Sequence, residues 1–416
     1  MPEQKKAVVP RLRFPEFRDA GPWEVKRLGE LAEIYQPETI PLSSLSNNGE
    51  FLVYGANGII GRFDCYNHEQ PQIAVTCRGS TCGEVTLTRP RSWITGNSMV
   101  VNVDNSPGVI KGFLYFQLKG TNWNYLITGS GQPQITGEIK KHKVALPSLD
   151  EQQKIADCLS SLDELIELEA KQLEALQAHK KGLMQQLFPR EGENTPRLCF
   201  PEFRDAGPWE VKRLGDVYRF IPTNSFSREQ LTYESGTIKN IHYGDIHTKY
   251  RALFDVEREH VPFLIGNGVT EDFDDERFCV PGDVILADAS EDLDDIGKAI
   301  EIVNIGSHKV VAGLHTLHAR QLAEDLVIGF GGCLFQCNAI REQIRKQAQG
   351  AKVLGISATR LKSIKLAAPR KPEQQKIADC LSSLDELIEL QAKQLEALQT
   401  HKKGLMQQLF PQEIDL

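Results

Sequence analysis

EQQKIADCLSSLDELIELEAKQLEALQAHKKGLMQQLFP occupies Glu151–Pro189, and the same string returns at Glu373–Pro411 with two changes, Glu169→Gln391 and Ala178→Thr400. Ile155, Leu162, Leu176 and Leu183 recur at multiples of seven, and Leu159, Ile166, Leu173 and Leu187 form a second row four residues on. Two such rows make one apolar stripe along an α-helix. The second copy repeats them as Ile377, Leu384, Leu398 and Leu405 beside Leu381, Ile388, Leu395 and Leu409. Ser148 and Glu151 read as a capping box before the first copy, and Pro372 and Glu373 as first-turn residues of the second. Phe188-Pro189 and Phe410-Pro411 stop both. Gly182 and Gly404 cost about 1 kcal/mol each against alanine, which a helix of this length absorbs. Each copy is then a rod of roughly 57 Å.

A rod with one apolar stripe needs a partner, and the nearest is its own copy. Two near-identical helices packed antiparallel make a pseudo-two-fold, isologous contact. The competing reading, an ordinary amphipathic helix on a globular core, fits neither the length nor the verbatim duplication. Another repeat lies upstream. PRLRFPEFRDAGPWEVKRLGE begins at Pro10 and returns 186 residues on, at Pro196, with Arg13→Cys199 and Glu30→Asp216. The long segments are 222 residues apart, so the material between grows by 36 in the second half. The order is leader, variable block, helix, written twice. It divides the chain into a first domain with leader (1–149), a spacer helix (150–189), a second domain with leader (190–371), and a second helix with tail (372–416). Trp23 and Trp209 read as structural, packed at the edge of each core.

Composition is compatible with this layout. The 416 residues can hold two or three domains with ample cores, and 40% hydrophobic with 25% charged residues is ordinary for a globular chain. No apolar run approaches the length of a membrane span, and MPEQKKAVVP lacks the apolar centre of a secretory signal. Nine scattered cysteines favour a reduced, cytoplasmic setting over a disulfide framework. The net charge of −8 disfavours a protein that coats nucleic acid unaided, although local basic patches matter more than the sum.

The variable blocks, about Leu31–Leu149 and Val217–Pro372, read as mixed α/β domains with twisted sheets and long glycine-containing loops. "YGANGIIGRFD", "QIAVTCRGSTCGEVTL" and "TGSGQPQITGEIKKHKVALP" in the first, and "NIHYGDIHTKYRALF" and "VPGDVILADASEDLDDIGKAIEIV" in the second, combine β-branched runs with turn residues. "QGAKVLGISATRLKSIKLAAP" matches the end of the first block in layout. Lys140, Lys141, His142 and Lys143 are the first block's one basic cluster. The fold class is therefore α+β: two mixed domains joined by two long antiparallel helices with internal pseudo-two-fold repetition.

Paired domains held apart by a symmetric rod suit a long ligand with two half-sites, and duplex DNA is such a ligand. Phosphates fall to Lys, Arg and loop amides, base edges to Arg, Gln, Asn, Lys and Thr. Blocks of different length and sequence predict different half-sites, hence an asymmetric, split target. The candidate contacts are Arg62, Arg78, Ser80, Gln132, Gln134, Thr136 and Lys140 in the first block. In the second they are Tyr243, His247, Lys249, Ser290, Lys352, Ser357 and Arg360. The alternative for each is a structural loop role.

The leader "FPEF…WEVKRLGE", the segment "LPSLDEQQKIADCLSSLDELIEL…LMQQLFP" and the fragments "GSGQPQIT" and "YGDI" resemble the specificity subunit of Type I restriction–modification systems, across essentially the whole chain. The resemblance implies two target-recognition domains reading a bipartite double-stranded DNA site, with the repeated helices as spacer. It implies partners: two methyltransferase (modification) subunits acting on adenine N6, and ATP-driven restriction subunits. S-adenosylmethionine, ATP and magnesium then belong to those partners, and this chain carries no cofactor and no catalytic residue.

Motif by motif, the chain itself offers no chemistry. The Asn/Asp-Pro-Pro-Tyr motif of an amino-methyltransferase is absent; "NWNY" at Asn122–Tyr125 lacks both prolines. There is no phosphate-binding G-x-x-x-x-G-K-[ST]. Glu169-x-Lys171 looks nuclease-like, but the second copy has Gln391. Cys77/Cys82, Cys333/Cys337 and His315/His318 lack the spacing of a structural zinc site, so no metal is expected. The acidic runs 271–276 and 291–295 read as solvated loops kept away from phosphate. A protein–protein scaffold with two domains that never touch DNA is the alternative function.

Overall fold

The leader decides how each half begins, because its tryptophan finds the end of a long helix. The computed structural model describes residues 8–129, 131–266 and 273–411, and the chain divides into two units, Met1–Lys171 with Ala392–Leu416, and Gln172–Gln391. In the first, β1 (Glu24–Arg27) pairs antiparallel with the strand that precedes the helix, Lys143–Leu146, and a single turn, α1 (Leu28–Leu31), follows it. Next come β2 (Glu33–Tyr35), β3 (Phe51–Gly55), β4 (Gly58–Phe63), β5 (Ile73–Thr76), β6 (Val85–Leu87), β7 (Ser92–Ile94), β8 (Ser98–Asn102), α2 (Lys111–Lys119) and β9 (Lys143–Leu146). They form an antiparallel sheet of order β2-β8-β5-β6 and a smaller sheet β4-β3-β7, in which β3 and β7 run parallel.

Alternation along β5 and β8 shows why the two sheets stack. Ile73, Val75, Met99 and Val101 enter the main core with Phe113 of α2, whereas Ala74 and Val100 point the other way, against Tyr54 and Ile94 of the small sheet. The first long helix, α3 (Leu149–Leu187), contributes Ile155, Ala156 and Leu159 to the main core. The second long helix (Lys371–Leu409) contributes Leu409, followed by Phe410. Trp23 is 4% exposed and packs edge-on against Phe113 at 5.7 Å and Phe410 at 6.5 Å. Fully burying each such apolar side chain contributes about 1.5–3 kcal/mol.

The second unit repeats this scheme, with near-identical leader and helix around a block of different sequence. β10 (Glu210–Arg213), α4 (Leu214–Val217) and β11 (Tyr218–Ile221) lead in. β12 (Leu231–Thr232), β13 (Ile238–Ile241), α5 (Tyr243–Thr248), β14 (Leu253–Asp255) and β15 (Phe263–Leu264) follow. Then come β16 (Val284–Ala287), β17 (Ala289–Ser290), β18 (Ala299–Asn304), β19 (Lys309–Ala312) and β20 (Thr316–Gln321). α6 (Phe330–Gln336), α7 (Asn338–Gln347), β21 (Leu354–Gly355), α8 (Ala358–Lys362), β22 (Lys365–Ala368) and α9 (Lys371–Leu409) complete it. The run β11-β20-β16-β18 reproduces β2-β8-β5-β6, with β14 added at the edge. The parallel pair β13–β19 reproduces β3–β7, and β10–β22 reproduces β1–β9. The core holds Leu187 and Phe188 beside Ile377 and Leu381, and Trp209 meets Phe188 at 5.9 Å and Phe330 at 6.3 Å.

The helices are antiparallel. Asp163 pairs with Lys402 and Glu169 accepts from Gln394 at 2.9 Å in the first unit, and Lys180 meets Asp385 at 2.5 Å in the second. Every stripe residue from Ile155 to Leu187 and from Ile377 to Leu409 is buried or half-buried. Ser148 Oγ caps α3, accepting from Glu151 N–H at 3.4 Å. The Glu151 carboxylate turns instead to Arg13, whose Nε and Nη2 reach its two oxygens at 2.8 and 2.7 Å. At the matching place in the second leader stands Cys199, and Glu373 accepts from the Trp209 indole. No helix among the described residues is long and apolar enough to cross a membrane.

Candidate nucleic-acid interface

Three strands of the first unit release loops at one edge: Gly55–Asn57 after β3, Cys77–Glu84 after β5 and Thr95–Asn97 after β7. A fourth segment, 128–136, precedes the 3-10 turn Gly137–Lys141. Backbone bonds stitch them together. Ile135 N donates to Cys77 O at 3.0 Å, Gly79 N to Pro133 O at 3.1 Å, and Cys77 N to Asn97 O at 2.9 Å. Thr81 Oγ1 donates to Ala56 O at 2.6 Å. Gly129 closes the fourth loop at φ +93, where an added Cβ would lie 2.6 Å from Gln132 O. Tied together by these bonds, the loops leave Arg78, Ser80, Gln132, Gln134 and Thr136 exposed, and the backbones of Arg78 and Gln134 form an isolated antiparallel bridge.

The remaining first-block candidates lie outside this stitching. Arg62 is on β4, its Nη1 donating to Gly49 O at 3.1 Å and Glu50 O at 3.0 Å. Lys140 packs its Cβ beside Gly29 of α1. Beyond it the basic cluster is already engaged: Lys141 pairs with Glu138 at 2.7 Å, and His142 is buried, its Nδ1 2.6 Å from Tyr125 Oη. Burial pushes the His142 imidazole down to about 4, so it is neutral at pH 7.

The second unit builds the same cluster. Gly313 N donates to Ile241 O at 2.9 Å, Asp288 N to His315 O at 3.0 Å, and Ile356 N to Asp288 O at 2.9 Å. β17 pairs with β21, setting Ser290 opposite Leu354. Gly350, at φ +135, takes the place of Gly129; a Cβ there would fall 1.9 Å from Val353 O. Ser357 caps α8, accepting from Arg360 N at 3.4 Å, as Thr136 accepts from Glu138 N at 3.4 Å. His247 Nε2 lies 3.0 Å from Ala289 O, and the Tyr243 ring stands edge-on to His315 at 5.3 Å. Lys352 is exposed. Ser290 Oγ accepts from Asp292 N at 3.0 Å.

Two further candidates here are held by the protein. Lys249 bonds Asp245 at 2.9 Å and Tyr233 Oη at 2.9 Å. Asp245 also takes Arg228 at 2.7 Å, and these cations hold its buried carboxyl below the usual range against the upward pull of burial. Arg360 donates to Gln347 O at 2.8 Å. Elsewhere in this unit Cys279, Asp283 and His318 are buried close together. Asp283 accepts from Arg320 at 2.9 and 2.7 Å, from Val280 N at 2.9 Å, and stands 2.7 Å from His318 Nε2. Its lone pairs are thus taken by donors, and the trio is a hydrogen-bonded hub rather than a ligand set. Of the acidic runs, 271–272 lie outside the described residues, and Asp294 in the other pairs with Arg345 at 2.7 Å.

Residues 21–178 and 207–400 match the family model of the Type I restriction modification DNA specificity domain. The chain belongs to this family. It is a recognition component and not a catalytic one. Among its relatives is the MjaVIII specificity subunit of a Type I restriction enzyme from Methanocaldococcus jannaschii, 26% identical over 97% of this chain and 94% of that one. The putative MjaX specificity subunit of the same organism is 27% identical over 67% of this chain and 60% of its own. The crystal structure of a Type I S subunit from M. genitalium shares the fold, with a TM-score of 0.65 and 16% identity over 98% of this chain and 100% of that one.

As a specificity subunit, the chain carries more at the loop edge than its sequence singled out. Asn57, Asn97 and His315 all enter the clusters, Asn57 through Oδ1, 3.0 Å from Thr81 Oγ1. Their only signal in the sequence is the small-residue punctuation of "GAN", "TGN" and "AGLH" ahead of or after a β-branched run.

Proposed function

We propose that each unit of this specificity subunit reads one half of a bipartite, asymmetric DNA target through its loop cluster. The observation that carries this is the recurrence of one stitched, glycine-closed edge with different exposed side chains on each copy. Arg78, Gln132 and Gln134 have the donors and acceptors that distinguish guanine and adenine in the major groove. In the second unit Tyr243, His247, Ser290 and Ser357 stand at that edge, which supports a different half-site. Arg62, Lys140 and Lys352, at or outside the margin, are suited to phosphate. The segments 1–149 and 190–371 act as the two readers, and the helices of 150–189 and 372–416 set the spacer between half-sites. Assembly in the cytoplasm with two methyltransferase subunits and with restriction subunits supplies S-adenosylmethionine, ATP and magnesium chemistry that no motif here provides.

Replacement of 31–149 by the corresponding block of another family member tests this. Methylome sequencing of a host carrying the chimera with its methyltransferase should show one half-site exchanged and the other retained, with the spacer unchanged. If both halves change together while the protein remains folded, the readers are not separate and the proposal fails.

A further inference from the structure

His315 turns the chain between β19 and β20 at φ +55, one of two non-glycine residues with positive φ among those described. A left-handed backbone costs a residue bearing Cβ, and such strain collects at functional sites. Packing does not require a histidine there, since its side chain is 52% exposed. The ring is nevertheless held. Its Nδ1 lies 3.2 Å from Asp288 Oδ1, and the edge-on Tyr243 ring stands 5.3 Å away. A carboxylate only accepts, so in the neutral ring Nδ1 carries the proton and Nε2 presents a lone pair at the exposed end. The first unit places Asn97 at the same turn, its carbonyl accepting from Cys77 N at 2.9 Å as His315 O accepts from Asp288 N at 3.0 Å. Two unrelated sequences thus set a hydrogen-bonding side chain at one position of one framework, and neither leader nor helix dictates it.

We infer that His315 is a specificity-determining residue for the second half-site, its Nε2 accepting from an exocyclic amine, adenine N6 or cytosine N4, in the major groove. Guanine and thymine offer acceptors at the corresponding major-groove position and are rejected. The inference rests on the proposed reading of DNA by this edge.

The test is His315→Gly in the full chain, expressed with its methyltransferase in a host whose methylome is sequenced. Glycine accepts φ +55 without strain, so thermal unfolding should stay at or above that of the parent. A purely structural histidine would leave the motif untouched. The expected result is an intact first half-site and spacer, with one position of the second half-site relaxed by about 10-fold or more. An unchanged motif in the folded variant overturns the inference while leaving half-site reading in place. If the parent complex itself methylates no bipartite sequence, the failure is that of the proposed function.

Discussion

Arg13→Cys gives the first leader the residue that the second already carries, and the structure sets the size of the effect. Arg13 holds both oxygens of Glu151 at 2.8 and 2.7 Å, and its Nη1 donates to Ala20 O at 2.5 Å and Gly21 O at 3.1 Å. The two side chains are 7% and 1% exposed. Removing one partner of a buried pair costs about 3–5 kcal/mol, because the other charge is left behind. The second unit shows the partial remedy. Glu373 is 4% exposed and takes the Trp209 indole N–H, and burial still raises its carboxyl above the usual range. Trp23 Nε1 is buried without a hydrogen-bond partner; turning to Glu151 would recover about 1 kcal/mol. The net loss is about 2–4 kcal/mol, or about 4–16 °C in the first unit's melting temperature. The reciprocal Cys199→Arg meets Glu373 and the carbonyls of Ala206 and Gly207 in an otherwise matching leader, and should stabilise the second unit by about 1–2 kcal/mol. Scanning calorimetry reads the size, and hydrogen exchange across β1–β9 and β10–β22 assigns it to a unit. Arg13→Cys within about 0.5 kcal/mol of the parent, or protection lost in β10–β22 instead, would refute the reasoning.

Glu301 is fully buried, accepting from Gly329 N at 3.0 Å and Gly332 N at 2.6 Å, and burial pushes its carboxyl up to about 7. A raised carboxyl means that the folded chain keeps a proton the unfolded chain has released. Stability should therefore fall by about 3 kcal/mol as pH rises from about 4.5 to 7, and Glu301→Gln should flatten that slope in urea unfolding at several pH values. Asp283→Ala strands Arg320 and His318 in the core and should cost about 3–5 kcal/mol, measured by denaturant midpoint and by exchange in β16 and β20. Gly129→Ala forces a Cβ toward Gln132 O, so methylome sequencing should show the first half-site degraded and the second preserved, with a stability loss of only about 1–3 kcal/mol.

The long helices were legible because the same heptad rows occur twice with their stops, and burial of one face follows from that period. The small-residue loops flanking β-branched runs located the strands, and "GSGQPQIT" marked the fourth loop. What the sequence could not display is pairing between distant segments. Nothing local says that β13 and β19 run parallel like β3 and β7, or that Trp23 awaits Phe410 while Trp209 takes its own predecessor Phe188. Loop chemistry misled in a similar way. Lys249 reads as a free cation until Asp245 and Tyr233 are folded against it, and His315 looks like any loop residue until Asp288, just after β16, meets it. The two acceptors that hold these side chains lie 4 and 27 residues away; the nearer is visible only if α5 is known to be helical.

The placement of Phe410 also sets an order of events during synthesis. Every segment of the second unit has been made once residue 391 leaves the ribosome, but the first core lacks Leu409 and Phe410 until those residues have followed. At about 5–20 residues per second, the first half waits tens of seconds with Trp23 and Phe113 uncovered. The half made first is the half matured last. A product stopped before Leu409 therefore exposes an apolar pocket that a protease or chaperone can detect, and only chains that extend past Phe410 close both cores.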